Sequence, residues 1–110
     1  MANQIGNPED VLSALSDPTR RQIVQNLRNG GLSVGELAGQ LPVSRPAVSQ
    51  HLRVLSDCGL LTASRHGTRR VYAIAPDAVA QLRAYLDLLW DDALASYAAA
   101  AQSRAKGEPE

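Results

Sequence analysis

Polar side chains that can read nucleic-acid bases are concentrated in residues 44–53, S-R-P-A-V-S-Q-H-L-R. In the major groove of DNA, arginine pairs with guanine, glutamine with adenine, and serine with either base. The spacing of Val48, Leu52 and Leu55 predicts a helix over 44–57 that buries this stripe and leaves the polar side chains outside. The candidate contacts on this predicted recognition helix are Ser44, Arg45, Pro46, Ser49, Gln50, His51 and Arg53. A solvated helix face without a ligand is the alternative, and the neighbouring segments decide between the two.

A second basic cluster, R-H-G-T-R-R, occupies residues 65–70, after this helix. Its central glycine is typical of a hairpin turn, so the segment is either a solvated hairpin tip or a wing that contacts DNA phosphates or the minor groove. Its position directly after the recognition helix favours the wing, whose candidate contacts are Arg65, His66, Gly67, Thr68, Arg69 and Arg70. Arg70 shares strand parity with Tyr72, which is expected to face inward, so Arg65 and Arg69 are the preferred contacts.

The net charge of zero hides an uneven distribution of charge along the chain. Residues 44–76 carry five Arg against one Asp, a net charge of +4, whereas residues 1–43 carry −1 and residues 77–110 carry −3. A local basic segment is the electrostatic signature of a nucleic-acid-binding surface. The middle of the chain is therefore expected to bind double-stranded DNA.

Metal binding and catalysis have little support in the residue types present. His51, His66 and Cys58 are the only His and Cys residues, and no two of them have the spacing of metal ligands. Cys58 is interpreted as a small buried residue at a helix end, with redox sensing left open. No nucleophile–base pattern, phosphate-binding glycine loop or pair of buried carboxylates is evident, so neither enzymatic activity nor a cofactor is expected. Three acidic residues of the last helix are expected to be solvated, with hard-ion binding as the alternative: Asp87, Asp91 and Asp92.

Length and composition are typical of one globular domain. The 110 residues are 45% hydrophobic and 20% charged, which argues against disorder, and no apolar run reaches the roughly 18 residues that span a bilayer. The N-terminus lacks the basic start and apolar core of a secretory signal, and a single cysteine fits a reducing compartment. A cytoplasmic location away from membranes is therefore expected. The predicted organisation is a tail over 1–7, a DNA-binding and dimerisation domain over 8–102 and a polar tail over 103–110.

Capping signals and apolar periodicity predict four helices, a hairpin and a last helix. The helices are predicted over 8–15, 18–28, 34–40 and 44–57, the strands over 60–65 and 69–75, and the final helix over 77–100. Asp17 before Pro18 is a helix start, and Ser33 with Glu36 has the spacing of a capping box. Two short helices joined by a tight turn and followed by a basic hairpin form a winged helix-turn-helix. The predicted fold class is mainly α with a β-hairpin wing.

The last predicted helix has an apolar surface wider than one small domain can cover. The chain contains no Phe, one Trp and three Tyr, so its own core is thin and burial in a dimer would add to it. A two-fold axis pairs an apolar patch with itself. The predicted interface residues are Val11, Leu12, Val79, Leu82, Leu86, Leu89, Trp90, Ala93 and Tyr97.

Three segments together closely resemble the ArsR/SmtB family of winged-helix repressors. They are A-L-S-D-P-T-R-R-Q-I-V-Q-N-L at 14–27, residues 32–61, and R-H-G-T-R-R-V-Y-A-I at 65–74, and the resemblance covers roughly residues 8–95. It implies a homodimer, paired through its first and last helices, that binds operator DNA near its own promoter. It also implies that 44–57 is the recognition helix and 60–75 the wing.

The chain departs from the metal-sensing members of that family at both of their ligand positions. Members that sense arsenic or cadmium carry E-L-C-x-C in the third helix, where this chain has E-L-A-G-Q at 36–40. Members that sense zinc or nickel place His and Asp ligands on the last helix, which here contains no His. The resemblance therefore implies a branch without a metal effector. Its input is left open among a small molecule, a redox signal, a partner protein and no inducer.

Two functions follow from these observations. The first is a dimeric, sequence-specific repressor that binds an inverted-repeat operator and regulates its own gene. The second is a winged-helix interaction module whose last helix binds a partner protein. The arginine-rich segment 65–70 favours the repressor, because an interaction module does not need it.

Overall fold

The computed structural model describes residues 7–105. In chain order, the elements are α1 (Pro8–Ala14), α2 (Pro18–Asn26), β1 (Leu32–Ser33), α3 (Val34–Gln40), α4 (Arg45–Asp57), β2 (Leu61–His66), β3 (Arg69–Ile74) and α5 (Pro76–Ala105). The predicted order of helices and hairpin is confirmed. The two-residue strand β1 is an addition that no periodicity in the sequence indicated.

Short polar side chains begin the first four helices. Asn7, Asp17, Ser33 and Ser44 each accept a backbone N–H two or three residues ahead, at 2.9 to 3.3 Å. At α3 the predicted capping box is complete, because the Ser33 N–H also donates to Glu36 Oε1 at 2.9 Å. One such cap stabilises a helix by about 1 kcal/mol, which is a large share for a short helix. Asn7 belongs to the segment predicted as a tail, and its cap makes it part of the folded domain.

A small antiparallel sheet of order β1-β3-β2 carries the hairpin. β2 and β3 pair in a register that places Arg65 opposite Arg70 and His66 opposite Arg69. Gly67 lies in the turn with a φ of +67°, in the left-handed region that favours glycine. β1 pairs with β3, so the chain just before α3 is hydrogen-bonded to the hairpin.

The core lies between the first four helices and the base of the hairpin. Val48, Leu52 and Leu55 of α4 are fully buried, as the apolar spacing predicted. The other core residues are Val11, Ala14, Ile23, Leu27, Leu37, Leu41, Leu60, Leu61, Ala75 and Ala78. The predicted role of Val11 in a dimer interface is therefore corrected. Its side chain is 0% exposed within its own protomer, and a side chain without accessible surface cannot contact a partner.

The last helix, α5, extends well beyond the core. Ala78 is fully buried and Leu82 packs against the core, whereas every residue from 86 to 104 is exposed. Its 30 residues make α5 about 45 Å long at 1.5 Å per residue. The helix continues five residues past its predicted end at 100 and includes residues 103–105 of the predicted tail, because this alanine-rich end favours helix. The remainders of the two predicted tails, 1–6 and 106–110, lie outside the described residues.

Candidate nucleic-acid interface

The outer face of α4 presents polar side chains opposite its buried stripe. Ser49, Gln50 and Arg53 are exposed, and with Pro46 they line a shallow open cavity of about 370 Å³. These four positions recur at intervals of three and four residues, so they share one side of the helix. The structure thus brings these four residues of the predicted set together on one exposed side of α4.

The first two residues of the predicted set also have structural partners. Ser44 caps α4 by accepting the Ala47 N–H at 3.3 Å. The Arg45 guanidinium lies over Gly35 near the start of α3, where an added Cβ would stand 3.1 Å from Arg45 Nη2. Arg45 stays exposed, and the lack of a side chain at residue 35 leaves room for it. Ser44 therefore stabilises the start of α4 itself, while Arg45 lies between α4 and the start of α3.

His51 lies on a flank of α4 that faces the start of α2. Its side chain is 21% exposed, and Nδ1 lies 3.3 Å from Arg20 Nη1 and 3.8 Å from Asp17 Oδ2. Arg20 and Asp17 were not among the residues that the sequence predicted for the site. The D-P-T-R segment at 17–20 is the signal that could have pointed to them.

One face of the wing shares a cleft with α4. Directly opposite residues of an antiparallel pair share a face, so Arg65 and Arg70 lie on the side of Tyr72, which packs against the core. Arg70 thus has the parity predicted from Tyr72, yet it remains exposed. The cleft has a volume of about 470 Å³ and is lined by Ser49, Arg53, Ser56, Asp57, Ala63, Arg70 and Tyr72. A wing arginine and a recognition-helix arginine therefore line one common cleft.

Arg69 lies on the other face of the wing and has a protein partner. Its Nη2 donates to Glu36 Oε1 at 2.6 Å, the same oxygen that accepts the Ser33 N–H. The backbone hydrogen bond from Ser33, followed by the positive charge of Arg69, holds the pKa of the Glu36 carboxyl below its usual value. Among the described residues, Arg70 has no such ion pair. Arg69, which the sequence favoured over Arg70 as a phosphate contact, is therefore the one that is paired with a carboxylate of the protein.

The tip of the wing is fully accessible. His66, Gly67 and Thr68 are all exposed, and His66 Nε2 lies 3.0 Å from Ser64 Oγ, two residues earlier in β2. This contact holds the imidazole along the strand. The predicted tip residues are therefore accessible on the surface of the protomer.

One side of α5 exposes large apolar side chains. Six of them are between 40% and 75% exposed and fall on one side of the helix: Val79, Leu86, Leu89, Trp90, Leu94 and Tyr97. Ala93 lies among them and is exposed, whereas Leu12 and Leu82 are partly buried within the protomer. Leu88 follows Leu86 by two positions, about 200° around the helix, and so lies on the opposite side. Most α5 residues of the predicted interface are therefore exposed in the protomer, and Leu94 is exposed beside them.

Cys58 packs at the end of α4. Its thiol is partly buried and donates to the Leu55 carbonyl at 3.3 Å. Within residues 7–105 there is no group of three or more His, Cys, Asp or Glu side chains that could hold a metal ion. No helix in this range is long and apolar enough to cross a membrane.

Comparison with known proteins agrees with this geometry. A family profile described as bacterial regulatory protein, arsR family, matches residues 17–63, which run from the cap of α2 into β2. The HTH-type transcriptional regulator Rv2034 of Mycobacterium tuberculosis is 53% identical to this chain over 92 residues, covering 84% of this chain and 86% of the relative. The chain belongs to the ArsR family.

Two further matches concern the activity and assembly of relatives of this ArsR-family protein. The transcriptional repressor SdpR of Bacillus subtilis is 34% identical over 65 residues, which are 59% of this chain and 72% of the relative. The solution structure of a homodimeric winged helix-turn-helix DNA-binding domain from Mycobacterium bovis matches with a TM-score of 0.63 at 34% identity, over 78% of this chain and 80% of that one. The predicted winged helix-turn-helix fold is thereby confirmed, and the chain is a DNA-binding transcriptional regulator. The family is one of regulators and not of enzymes, and the interaction-module alternative is not favoured.

Proposed function

We propose that this chain is a homodimeric repressor that binds an inverted-repeat operator in double-stranded DNA. The observation that carries the proposal is the exposed face of Ser49, Gln50 and Arg53 on α4, beside a wing that bears arginines. An α-helix fits the major groove, where these side chains can form hydrogen bonds to base edges. We assign residues 8–102 to one DNA-binding and dimerisation domain, which begins with the cap at Asn7 and whose last helix continues to Ala105.

Bases and phosphates are contacted by different parts of this surface. Gln50 and Ser49 on the outer face of α4 are suited to bases, whereas Arg65 and Arg70 on the wing are suited to phosphates. Phosphate contacts hold the protein in register on the duplex and carry no sequence information, while base contacts provide specificity. Arg53 borders both the outer face and the cleft, so it links the two kinds of contact.

The partner of the protomer is a second copy of the same chain, joined through the apolar side of α5. Leu86, Leu89, Trp90 and Tyr97 leave 40% to 75% of their surface in water in the protomer. A two-fold axis buries this patch against its own copy and places two recognition helices about one turn of DNA apart, roughly 34–36 Å. The homodimeric neighbour from Mycobacterium bovis supports this assembly.

Repression, location and effector complete the proposal. Repression is supported by the relative SdpR, which is named a transcriptional repressor. We place the protein in the cytoplasm, where its DNA target lies.

We also propose that metal ions do not release the DNA. Ala38, Gly39 and Gln40 occupy the positions at which metal sensors carry thiols, and α5 has no His. Stoichiometric zinc, cadmium or arsenite should leave the affinity for the operator unchanged, and metal-induced release in a mobility-shift assay would contradict this part.

A selection experiment tests base reading directly. Duplexes that the wild-type protein enriches from a random pool, and the fragment upstream of its own gene, are compared with scrambled duplexes in a mobility-shift assay. Gln50→Ala is expected to cost roughly 1–3 kcal/mol of binding free energy and to relax the preference at particular operator positions. Gln22→Ala, at an exposed position of α2, is the matched control and should leave the preference unchanged. A pool without enrichment, or an equal loss on every duplex for Gln50→Ala, would contradict base reading.

A further inference from the structure

Asp17, Arg20 and His51 form a polar contact between the start of α2 and the recognition helix α4. Arg20 Nη1 lies 3.4 Å from Asp17 Oδ2 and 3.3 Å from His51 Nδ1, while Arg20 Nε donates to the Ala14 carbonyl at 2.6 Å. The three side chains are between 20% and 28% exposed, so water competes for these bonds only in part. One guanidinium therefore touches the end of α1, the start of α2 and the flank of α4.

The hydrogen bond between Arg20 and His51 can have only one direction. A guanidinium has donors and no acceptors, so the bond requires His51 Nδ1 to accept from Arg20. Asp17 Oδ2 lies farther from His51 Nδ1, at 3.8 Å. The Asp17 carboxylate also caps α2 by accepting the Thr19 N–H. The link from α2 to α4 is thus one directional hydrogen bond, oriented by an acidic neighbour.

Apolar packing sets the approximate rotation of α4, and a directional hydrogen bond can restrict it further. Val48, Leu52 and Leu55 are fully buried, but the hydrophobic effect is non-directional, whereas a hydrogen bond weakens steeply with angle. A rotation of about 20° would move a side-chain tip by about 2 Å at a helix radius of about 5–6 Å, which is enough to break a base contact. Between described residues, the bond from Arg20 to His51 is the only side-chain hydrogen bond that joins α4 to another helix.

We propose that Arg20 and His51 are positioning residues that set the rotation of α4 and, through it, the sequence specificity of DNA binding. The inference rests on the proposed function, because it assumes that Gln50 and Arg53 read bases. Neither Arg20 nor His51 has to touch DNA in this role. His51 thereby moves from the predicted direct contacts to the residues that hold those contacts in place.

The neighbouring arginine supplies a matched control. Arg21 Nη1 donates to the Leu15 and Ser16 carbonyls at 3.0 Å each, so it closes the turn after α1 as Arg20 does, but these bonds do not involve α4. Lysine in place of either arginine keeps the positive charge but loses the planar guanidinium, whose N–H donors can bond several acceptors at once. At residue 51, His51→Asn keeps an acceptor close to the position of Nδ1, whereas His51→Leu keeps bulk without an acceptor.

The experiment compares the wild type with four variants: Arg20→Lys, Arg21→Lys, His51→Asn and His51→Leu. It measures the affinity of each protein for a selected operator duplex and for a scrambled duplex over a range of salt concentrations. All are assayed well below their melting temperatures, which are measured in parallel. Arg20→Lys and His51→Leu are expected to lower the ratio of operator to scrambled affinity about tenfold, the effect of one hydrogen bond to a charged group. The slope of log affinity against log salt should not change, because every phosphate stays neutralised as in the wild type. Arg21→Lys and His51→Asn should stay within about twofold of the wild-type ratio.

Each other outcome counts against the inference. Equal ratios for Arg20→Lys and Arg21→Lys, or a ratio for His51→Asn as low as for His51→Leu, would overturn it. An equal loss on both duplexes would show a general effect on binding and would also overturn it. A salt slope reduced by about one in the His51 variants would assign that ring to a phosphate instead. A wild-type protein that does not distinguish the two duplexes would overturn the proposed function itself, and this inference with it.

Discussion

At the scale of single residues, the wing shows how a neighbour far along the chain changes what a side chain can do. Arg69 and Arg70 are adjacent in β3 and point to opposite faces of the hairpin. Arg69 is bound to Glu36, whereas Arg70 lines the cleft that it shares with Arg53. The charge of an arginine that already has a carboxylate partner is partly balanced, so it gains less from binding a phosphate than an unpaired arginine does.

The salt dependence of DNA binding should separate the three wing arginines. Arg65→Ala and Arg70→Ala are each expected to weaken binding to all sequences about equally and to reduce the log–log salt slope by roughly 0.9 for each phosphate that the variant no longer neutralises. Arg69→Ala should change the slope less, because its guanidinium is paired with Glu36. Anisotropy titrations at several salt concentrations give the slopes. The largest drop in slope for Arg69→Ala would show that the ion pair opens on DNA.

At the scale of the elements, Glu36 joins three of them. Its Oε1 accepts from Ser33, where β1 meets α3, and from Arg69 of β3. The Arg69 and Glu36 side chains are 55% and 45% exposed, so the ion pair alone contributes little free energy. The ion pair instead contributes to orientation, because it connects the wing to the first helix of the helix-turn-helix.

The stability of the protein should depend on pH through this carboxyl group. The folded state lowers the pKa of Glu36, so its ionised form stabilises the fold above the unfolded pKa, and this contribution is lost as the pH falls below 4.5 through the lowered value. Glu36→Gln can keep the capping box but cannot titrate, so its free energy of unfolding should fall less steeply over this range than that of the wild type. Denaturant unfolding from about pH 6 to about pH 3 gives the comparison.

Glu9→Gln is the control for this measurement. Glu9 lies in the first turn of α1, and none of its contacts involves the wing. Its curve should follow that of the wild type more closely than the curve of Glu36→Gln does. Identical pH dependence for the wild type and Glu36→Gln would show that the contacts of Glu36 do not couple to folding.

At the scale of the whole molecule, α5 presents more apolar surface than the protomer covers. The helix is anchored at its base by Ala78 and Leu82, and the part beyond the core carries Trp90 and Tyr97, which are 65% and 75% exposed. A large apolar side chain gains roughly 1.5–3 kcal/mol when it is fully buried. Several such side chains on one side of a helix therefore favour association with a second copy.

A charge placed in this surface should separate the protomers. Leu86→Glu and Leu89→Glu together would bury two carboxylates at the seam, which is expected to give monomers with sharply reduced affinity for the operator. Leu88→Glu adds a similar charge on the opposite side of α5 and should remain a dimer. Sedimentation velocity and operator affinity check both statements. A stable dimer in the double variant would place the interface elsewhere.

Local chemistry determined much of this protein from the sequence by itself. The caps at Asp17, Ser33 and Ser44 act on backbone groups two or three residues away, so their helices could be predicted from short stretches of chain. The spacing of apolar residues in 44–57 likewise distinguished the outer face of α4 from its buried stripe, because apolar residues three or four positions apart lie on the same side of a helix. The glycine turn of the wing is equally local.

The tertiary structure decided which side chains have partners. Arg69 meets Glu36 across 33 positions of sequence, and Arg20 meets His51 across 31. Val11 was predicted in the dimer interface, which buries an apolar stripe as a core does, and the packing of α1 against the domain places it in the core instead. The strand β1 exists because β3 lies beside it. Periodicity shows which face of an element is buried, but the neighbour on that face depends on how distant segments pack, and no local pattern contains that arrangement.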